Sequence, residues 1–268
     1  MSKIKNKFNI SLISGWLIII FFVIIAILAP IIAPHSPYDM GLAYQKPSPE
    51  FILGTNDVGQ DIFSEIIYGT RVSLFIGISA AFIVMAIGSL TALYAGYFGG
   101  VIDKIITFIT SIAMALPSLP LTILLAAYLS SGKWSLIIAM SITSWTGISR
   151  VLRVRVQQVC QMPFIQAERA LGVSSCKILF KHIVPNLKDI ILMRGALSIA
   201  NAMLLEASLS FIGLGNYGEK SWGTILHYAF FRNSIMRGLY WWYLPPIICI
   251  SFATFGFMLV GYYGRKRI

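Results

Sequence analysis

Apolar positions in this chain fall into long, nearly unbroken runs, and these runs set the expected architecture. Residues 12–33 form the first, longer than the about 20 residues an α-helix needs to cross a bilayer. Residues 72–98, 105–129 and 190–211 form three more, a further run begins at 135–148, and the last ends at Tyr263. Six transmembrane helices are therefore expected. Pro30 and Pro34 should end the first, and Pro117 and Pro120 should kink the third, because proline removes a backbone donor. The second run is rich in small residues, including Gly77, Gly88 and Gly96, which let helices approach closely where lipid gives no hydrophobic push.

The polar intervals are as informative. Residues 35–70 carry acidic side chains and prolines, and Asp57, Asp61 and Glu65 fall at helical spacing beside Arg71. Gly99, Gly100, Asp103 and Lys104 read as one tight turn and residues 130–133 as another. The fourth helix should end near Arg150, Arg153 and Arg155. Residues 213–239 form a mixed loop with room for a short re-entrant or interfacial helix, followed by an aromatic belt at residues 240–243. The long polar island is 164–186. There Phe164, Ala167, Leu171 and Ile178 recur at spacings of three, four and seven, which predicts a short amphipathic helix. Gly172 should interrupt it and let another backbone come close, and Ser174 should cap a second helix that stops before Pro185.

Composition agrees with an integral membrane protein: of 268 residues, 57% are hydrophobic and 12% charged, against an apolar share of about 45–50% in soluble domains. The net charge of +11 comes from basic residues clustered beside the apolar runs, which argues against nucleic acid and for membrane orientation. About fifteen of the 21 Lys and Arg lie at the two termini and in the intervals after the second, fourth and start of the fifth runs. Both termini and the 164–186 island are thus expected in the cytoplasm.

Little in the chain suggests catalysis. Cys160, Cys176 and Cys249 form no CxxC pair, His35, His182 and His227 are scattered, and no metal site is expected. A GxxxxGK[ST] phosphate loop is missing, so ATP hydrolysis by that route would have to come from another chain. An ion-gradient-driven carrier would need polar midplane groups and internal repeats that are not evident.

Ala167-Glu168-Arg169-Ala170-Leu171-Gly172, followed by residues 182–186 (His-Ile-Val-Pro-Asn), resembles the EAA loop of permease subunits of bacterial ABC importers. Further matches are Leu-Gly-Thr-Asn-Asp-Val-Gly-Gln-Asp at 53–61, Ala-Gly-Tyr-Phe-Gly-Gly at 95–100, Glu-Ala-Ser-Leu-Ser-Phe-Ile-Gly-Leu-Gly at 206–215 and Ser-Trp-Gly at 221–223. Together they look like the second permease type of the dipeptide, oligopeptide and nickel branch, from about residue 51 to the end. Residues 1–50 then hold the tail, the first helix and the start of the outer loop, and 51–268 the permease core. Gln166 stands where the motif has its leading glutamate, Glu168 replaces its second alanine, and Gln60 stands where the outer motif usually has arginine.

The resemblance implies an all-α, polytopic protein of the bacterial cell membrane that forms half of a pore. It implies as partners a second homologous permease, two ATP-binding subunits carrying ATP and Mg, and an extracytoplasmic substrate-binding protein. It assigns Gln166, Ala167, Glu168, Arg169, Ala170, Leu171, Gly172 and Pro185 to ATPase coupling; an amphipathic helix resting on lipid is the alternative reading of the same residues. Glu206, with Asn201 and Ser210, is expected either to line the pore or to pack helices, since an ionisable group at that depth must face the bundle or water. Asp57, Asp61 and Arg71 are expected either to dock the binding protein or to stabilise an amphipathic helix through local ion pairs. Small peptides are the expected cargo, and nickel or a metal chelate the alternative.

Overall fold

The computed structural model describes residues 2–130 and 132–264, with side chains described from Ile10 onward; Lys3, Lys5, Lys7, Ser131, Arg265, Lys266 and Arg267 of the expected tails and turn lie outside the described side chains. The described residues are helical apart from loops and one isolated bridge between Thr55 and Asp61. In order the helices are α1 (Ser2–Ile32), α2 (Ile62–Phe98), α3 (Gly100–Ala115), α4 (Ser118–Tyr128), α5 (Lys133–Cys160), α6 (Pro163–Ala170), α7 (Ser175–Ile178), α8 (Val184–Phe211), α9 (Trp222–Phe231) and α10 (Tyr240–Tyr263). Five stretches are long and apolar enough to cross a membrane, and α3 with α4 makes a sixth if that bent pair is one span.

α2 is the central post, packed against α1, α5 and α8. Its glycines make the close approach to α5 possible: a Cβ at Gly88 would stand 2.7 Å from Ile148 Cβ, and one at Gly96 2.7 Å from Val156 Cβ. Without a hydrophobic push from lipid, such backbone proximity is the main source of helix association. α10 closes the other side against α1 and α8, with Trp241 and Trp242 buried under the 33–61 loop, where Tyr44 lies edge-on to Trp242.

Several expected boundaries move. α2 begins ten residues before Val72, because Asp61 caps it by accepting from Ser64 N at 3.1 Å. Asp57 and Asp61 therefore precede the helix and share no helical face with Arg71. α1 runs through Pro30, which lies close enough to its end that few backbone bonds are lost. The expected kink in the third helix is an 87° bend at Leu116 and Pro117. The resulting arm buries only Thr110 of α3 and Thr122 and Ala126 of α4, leaving Phe108, Ile112 and Leu124 exposed. Asp103 and Lys104 belong to α3 rather than to a turn, and Arg150, Arg153 and Arg155 lie within α5. The short helix expected in the 213–239 loop is α9, with Ser221 and Thr224 forming a reciprocal capping box.

The helix after Gly172 also does not stop before Pro185. α7 passes into a π-helical turn, Leu179–Ile183, and then directly into α8. Val184 N bonds Leu179 O, five residues back. This register shift brings Pro185 to the first turn of α8, where its missing donor is not needed.

Candidate functional site

At the end of the bundle formed by α6, α7 and the π-turn, the chain folds back on itself. Pro163 opens α6 at its first turn, and Gly172 ends it at φ +75°, a left-handed conformation suited to a residue without Cβ. No atom lies within 4 Å of a Cβ built at Gly172, so the glycine serves backbone conformation and not the close approach expected for it. Ser174 holds the N-cap position of α7 but makes no side-chain cap bond.

The amphipathic stripe is turned the other way from a self-packing helix. Ile165, Ile178 and Ile183 are fully buried beside Tyr97, Val156 and Leu187, and they root the loop in the bundle. Phe164, Ala167 and Leu171 face away, Leu171 being 81% exposed. Of the expected stripe, only Ile178 is buried. Gln166 and Ala170 are also exposed, as is Pro185. Glu168 Oε1 lies 3.0 Å from His182 Nε2, a contact short of hydrogen-bond geometry that brings α6 against the π-turn. Arg169 Nη2 donates to Tyr97 O at 3.2 Å, and its guanidinium lies 4.4 Å from the Tyr97 ring centroid. Arg153 of α5 holds Asp103 of α3 in a two-pronged pair, with Nη2 to Oδ2 at 2.6 Å.

Glu206 is wholly enclosed. Ser73 Oγ of α2 donates to its Oε2 at 3.1 Å, and Ser210 Oγ donates to Oε1 at 2.8 Å. Ser73 Oγ in turn accepts from Trp222 N at 3.2 Å. One carboxylate thus joins α2, α8 and the start of α9. Asn201, one and a half turns earlier, is separate from it and lines a cavity between α2, α5 and α8.

At the α9 end, Asp57 pairs with Arg232 at 2.7 Å, and Asp61 is buried at the α2 cap, with His35 Nδ1 3.6 Å from Oδ2. Neither pairs with Arg71, which is exposed and lies 6.0 Å from the Tyr68 ring centroid. A polar cluster that sequence reasoning missed lies beneath them. Lys220 Nζ lies 2.6 Å from Glu65 Oε1 and 2.7 Å from Gln60 Oε1, while Asn56 Nδ2 donates to both acceptors at 3.0 Å. Gln60 Nε2 reaches Tyr38 O at 3.3 Å. Burial holds the Tyr38 phenol above its ordinary range. Residues more than 150 positions apart meet here, so no local spacing could reveal the pairing.

Comparison with known proteins identifies this architecture. Residues 88–230 match the family described as binding-protein-dependent transport system inner membrane component, and residues 9–49 match the N-terminal TM domain of oligopeptide transport permease C. The chain is 32% identical over 260 residues to the dipeptide transport system permease protein DppC of Bacillus subtilis, covering 96% of this chain and 80% of that protein. It is 36% identical over 252 residues to the oligopeptide transport system permease protein OppC of the same organism, covering 92% and 81%. A chain of the MetNI methionine ABC transporter, solved in an inward-facing conformation, shares the fold with a TM-score of 0.55 at 17% identity, covering 72% of this chain and 94% of that one. The chain belongs to the binding-protein-dependent transport system inner membrane components, as a membrane-embedded permease subunit of an ABC importer.

Proposed function

We propose that this permease carries short peptides inward and is driven through the α6–α7 loop by separate subunits that bind ATP and Mg. The observation that supports the coupling role is the stripe of Phe164, Ala167 and Leu171, turned outward from a loop whose isoleucines are rooted in the bundle. An apolar face on a short rigid helix suits a groove on another protein. A loop held by three buried anchors transmits a rigid-body displacement that a free loop would absorb. Gln166, Glu168, Arg169, Ala170, Gly172 and Pro185 complete that surface or hold its shape.

The peptide reading is supported by the names of the dipeptide and oligopeptide permeases that the chain resembles. A second, homologous permease would complete the pore, and the bare apolar faces of the α3–α4 arm support its presence. The basic residues near the α6 end support a cytoplasmic location for that end and for both termini of a protein in the bacterial inner membrane. An extracytoplasmic binding protein would then meet the α9 end, where Arg71 is exposed and Asp57 is already paired. Glu206 and Ser210 act as packing groups in this reading, and Asn201 as a lining group.

Co-purification of the ATPase subunits with Gly172→Arg tests the coupling role. The variant should insert normally and lose the ATPase, and normal recovery of the ATPase would sink the role. Uptake of labelled alanyl-alanine against nickel by the assembled transporter tests the cargo.

A further inference from the structure

The cavity between α2, α5 and α8 has a volume of about 260 Å³ and a single cation on its wall, Arg194 of α8. Arg194, Ser198 and Asn201 follow one another at i, i+4 and i+7, so they form one polar stripe along α8, and Ser144 of α5 also lines the cavity. Val84 and Met140 supply apolar wall. Among the described residues, none gives the side chains of Arg194, Ser198, Asn201 or Ser144 a hydrogen bond or ion pair. Several other polar side chains between the long helices are paired: Ser73 and Ser210 with Glu206, Thr122 with Thr143, Thr91 with Ser149.

The place of the unpaired cation is significant. At about 1.5 Å per residue Arg194 lies roughly 26 Å along α8 from Phe211, and Asn201 roughly 15 Å. Both lie on the Ser175–Phe211 stretch that is long and apolar enough to cross a membrane, Asn201 nearer its Phe211 end and Arg194 nearer its middle. A guanidinium on a membrane-spanning helix faces a partner, a polar pathway or the interface, and the half-buried Arg194 faces this cavity. Its fork of donors matches a carboxylate in two-pronged fashion, and the amide and hydroxyls of Asn201, Ser198 and Ser144 can satisfy an adjacent peptide group. The cavity is smaller than the about 300–1,000 Å³ of pockets that enclose a whole small molecule, which suits one terminal residue and not a complete longer ligand.

We propose that this cavity is a transient site for the free C-terminal carboxylate of a short peptide, held by Arg194 and flanked by Asn201, Ser198 and Ser144. The inference rests on the peptide reading above and deepens it: it places a carboxylate-recognition step inside this subunit.

A labelling experiment tests it directly. Asn201→Cys, in a complex whose Cys160, Cys176 and Cys249 are replaced by serine, is reacted with a maleimide in detergent. Alanyl-alanine should slow labelling by roughly tenfold, the effect of a charge-assisted hydrogen bond, and its C-terminal amide should not. Arg194→Gln should abolish the protection, and Arg194→Lys should retain part of it. Ser144→Cys provides the same readout from α5 if the first variant does not assemble. Equal protection by acid and amide, or no protection by either, overturns the proposal. Protection by phosphatidylglycerol in place of the peptide also overturns it and assigns the cation to a lipid headgroup. Uptake separates the two levels of inference. A wild-type complex that imports no alanyl-alanine overturns the peptide reading itself. Wild-type import that Arg194→Gln leaves unchanged overturns only the site.

Discussion

The guanidinium of Arg169 stacks 4.4 Å from the Tyr97 ring centroid and donates to the Tyr97 carbonyl, in the last turn of α2. The next residues beyond Phe98 are Gly99 and Gly100, at φ +62° and +55°, where the chain turns into α3. One side chain of α6 therefore grips the helix end from which the bent arm leaves. A partly buried cation–π contact is worth about 0.5–2 kcal/mol and a charged hydrogen bond about 1.5–3 kcal/mol. Arg169→Ala should keep the ATPase bound yet lower peptide uptake by roughly tenfold or more, with Arg169→Lys in between. ATPase co-purification and uptake measured on the same preparations check this; equal loss of both would show that Arg169 shapes the docking surface instead.

The α2–α5 seam predicts a stability effect. A Cβ at Gly88 would collide with Ile148, and the Trp145 carbonyl oxygen lies 3.0 Å away, so neither a rotamer change nor a small shift relieves it. Gly88→Leu should cost about 1–3 kcal/mol or more through overpacking. Thermal unfolding of the detergent-solubilised subunit should show a clear fall in midpoint, and Gly147→Leu, where an added Cβ meets no atom within 4 Å, should show little.

Glu206 separates charge from hydrogen bonding. Glu206→Gln keeps an acceptor for one of the two serines, whereas Glu206→Leu leaves the buried Ser73 and Ser210 hydroxyls without their acceptor. Each unmet group costs about 1–3 kcal/mol. The glutamine variant should therefore reach near-normal levels of folded protein on size-exclusion chromatography, and the leucine variant should not. Peptide uptake unchanged in Glu206→Gln at normal expression would exclude an essential charge.

Long apolar runs made the membrane class and the helices legible in the sequence, because crossing a bilayer demands length that few other structures need. The α6 helix was visible through its spacing, but which way its stripe faced was not. A period of 3.6 marks an apolar face without saying whether the chain itself or another protein covers it, and here Ile165, off the stripe, is the buried residue. Pro185 misled for a related reason: a proline ends a helix only if the register before it is α, and the Leu179–Ile183 π-turn changes that register. The acidic stretch at 57–65 gave its composition but not its partners, Arg232, Ser64 and Lys220, two of which arrive from the far end of the chain.

Gln60 and Lys220 give that long-range pairing a test. Where the resembled motif has arginine at position 60, this chain has an uncharged amide, and the cation beside Glu65 comes from Lys220. The side chains of Lys220 and Glu65 are 11% and 3% exposed, so Lys220→Met should leave Glu65 with Asn56 as its remaining partner and cost about 1–3 kcal/mol. Gln60→Arg alone should also destabilise, since the new cation would crowd Lys220, whose Nζ lies 2.7 Å from Gln60 Oε1. Combined, Gln60→Arg and Lys220→Met return one cation to Glu65 and should recover most of either loss. Unfolding midpoints of the two single variants and the double variant measure the coupling, and additive losses would mean that the two positions do not share Glu65 as a common partner.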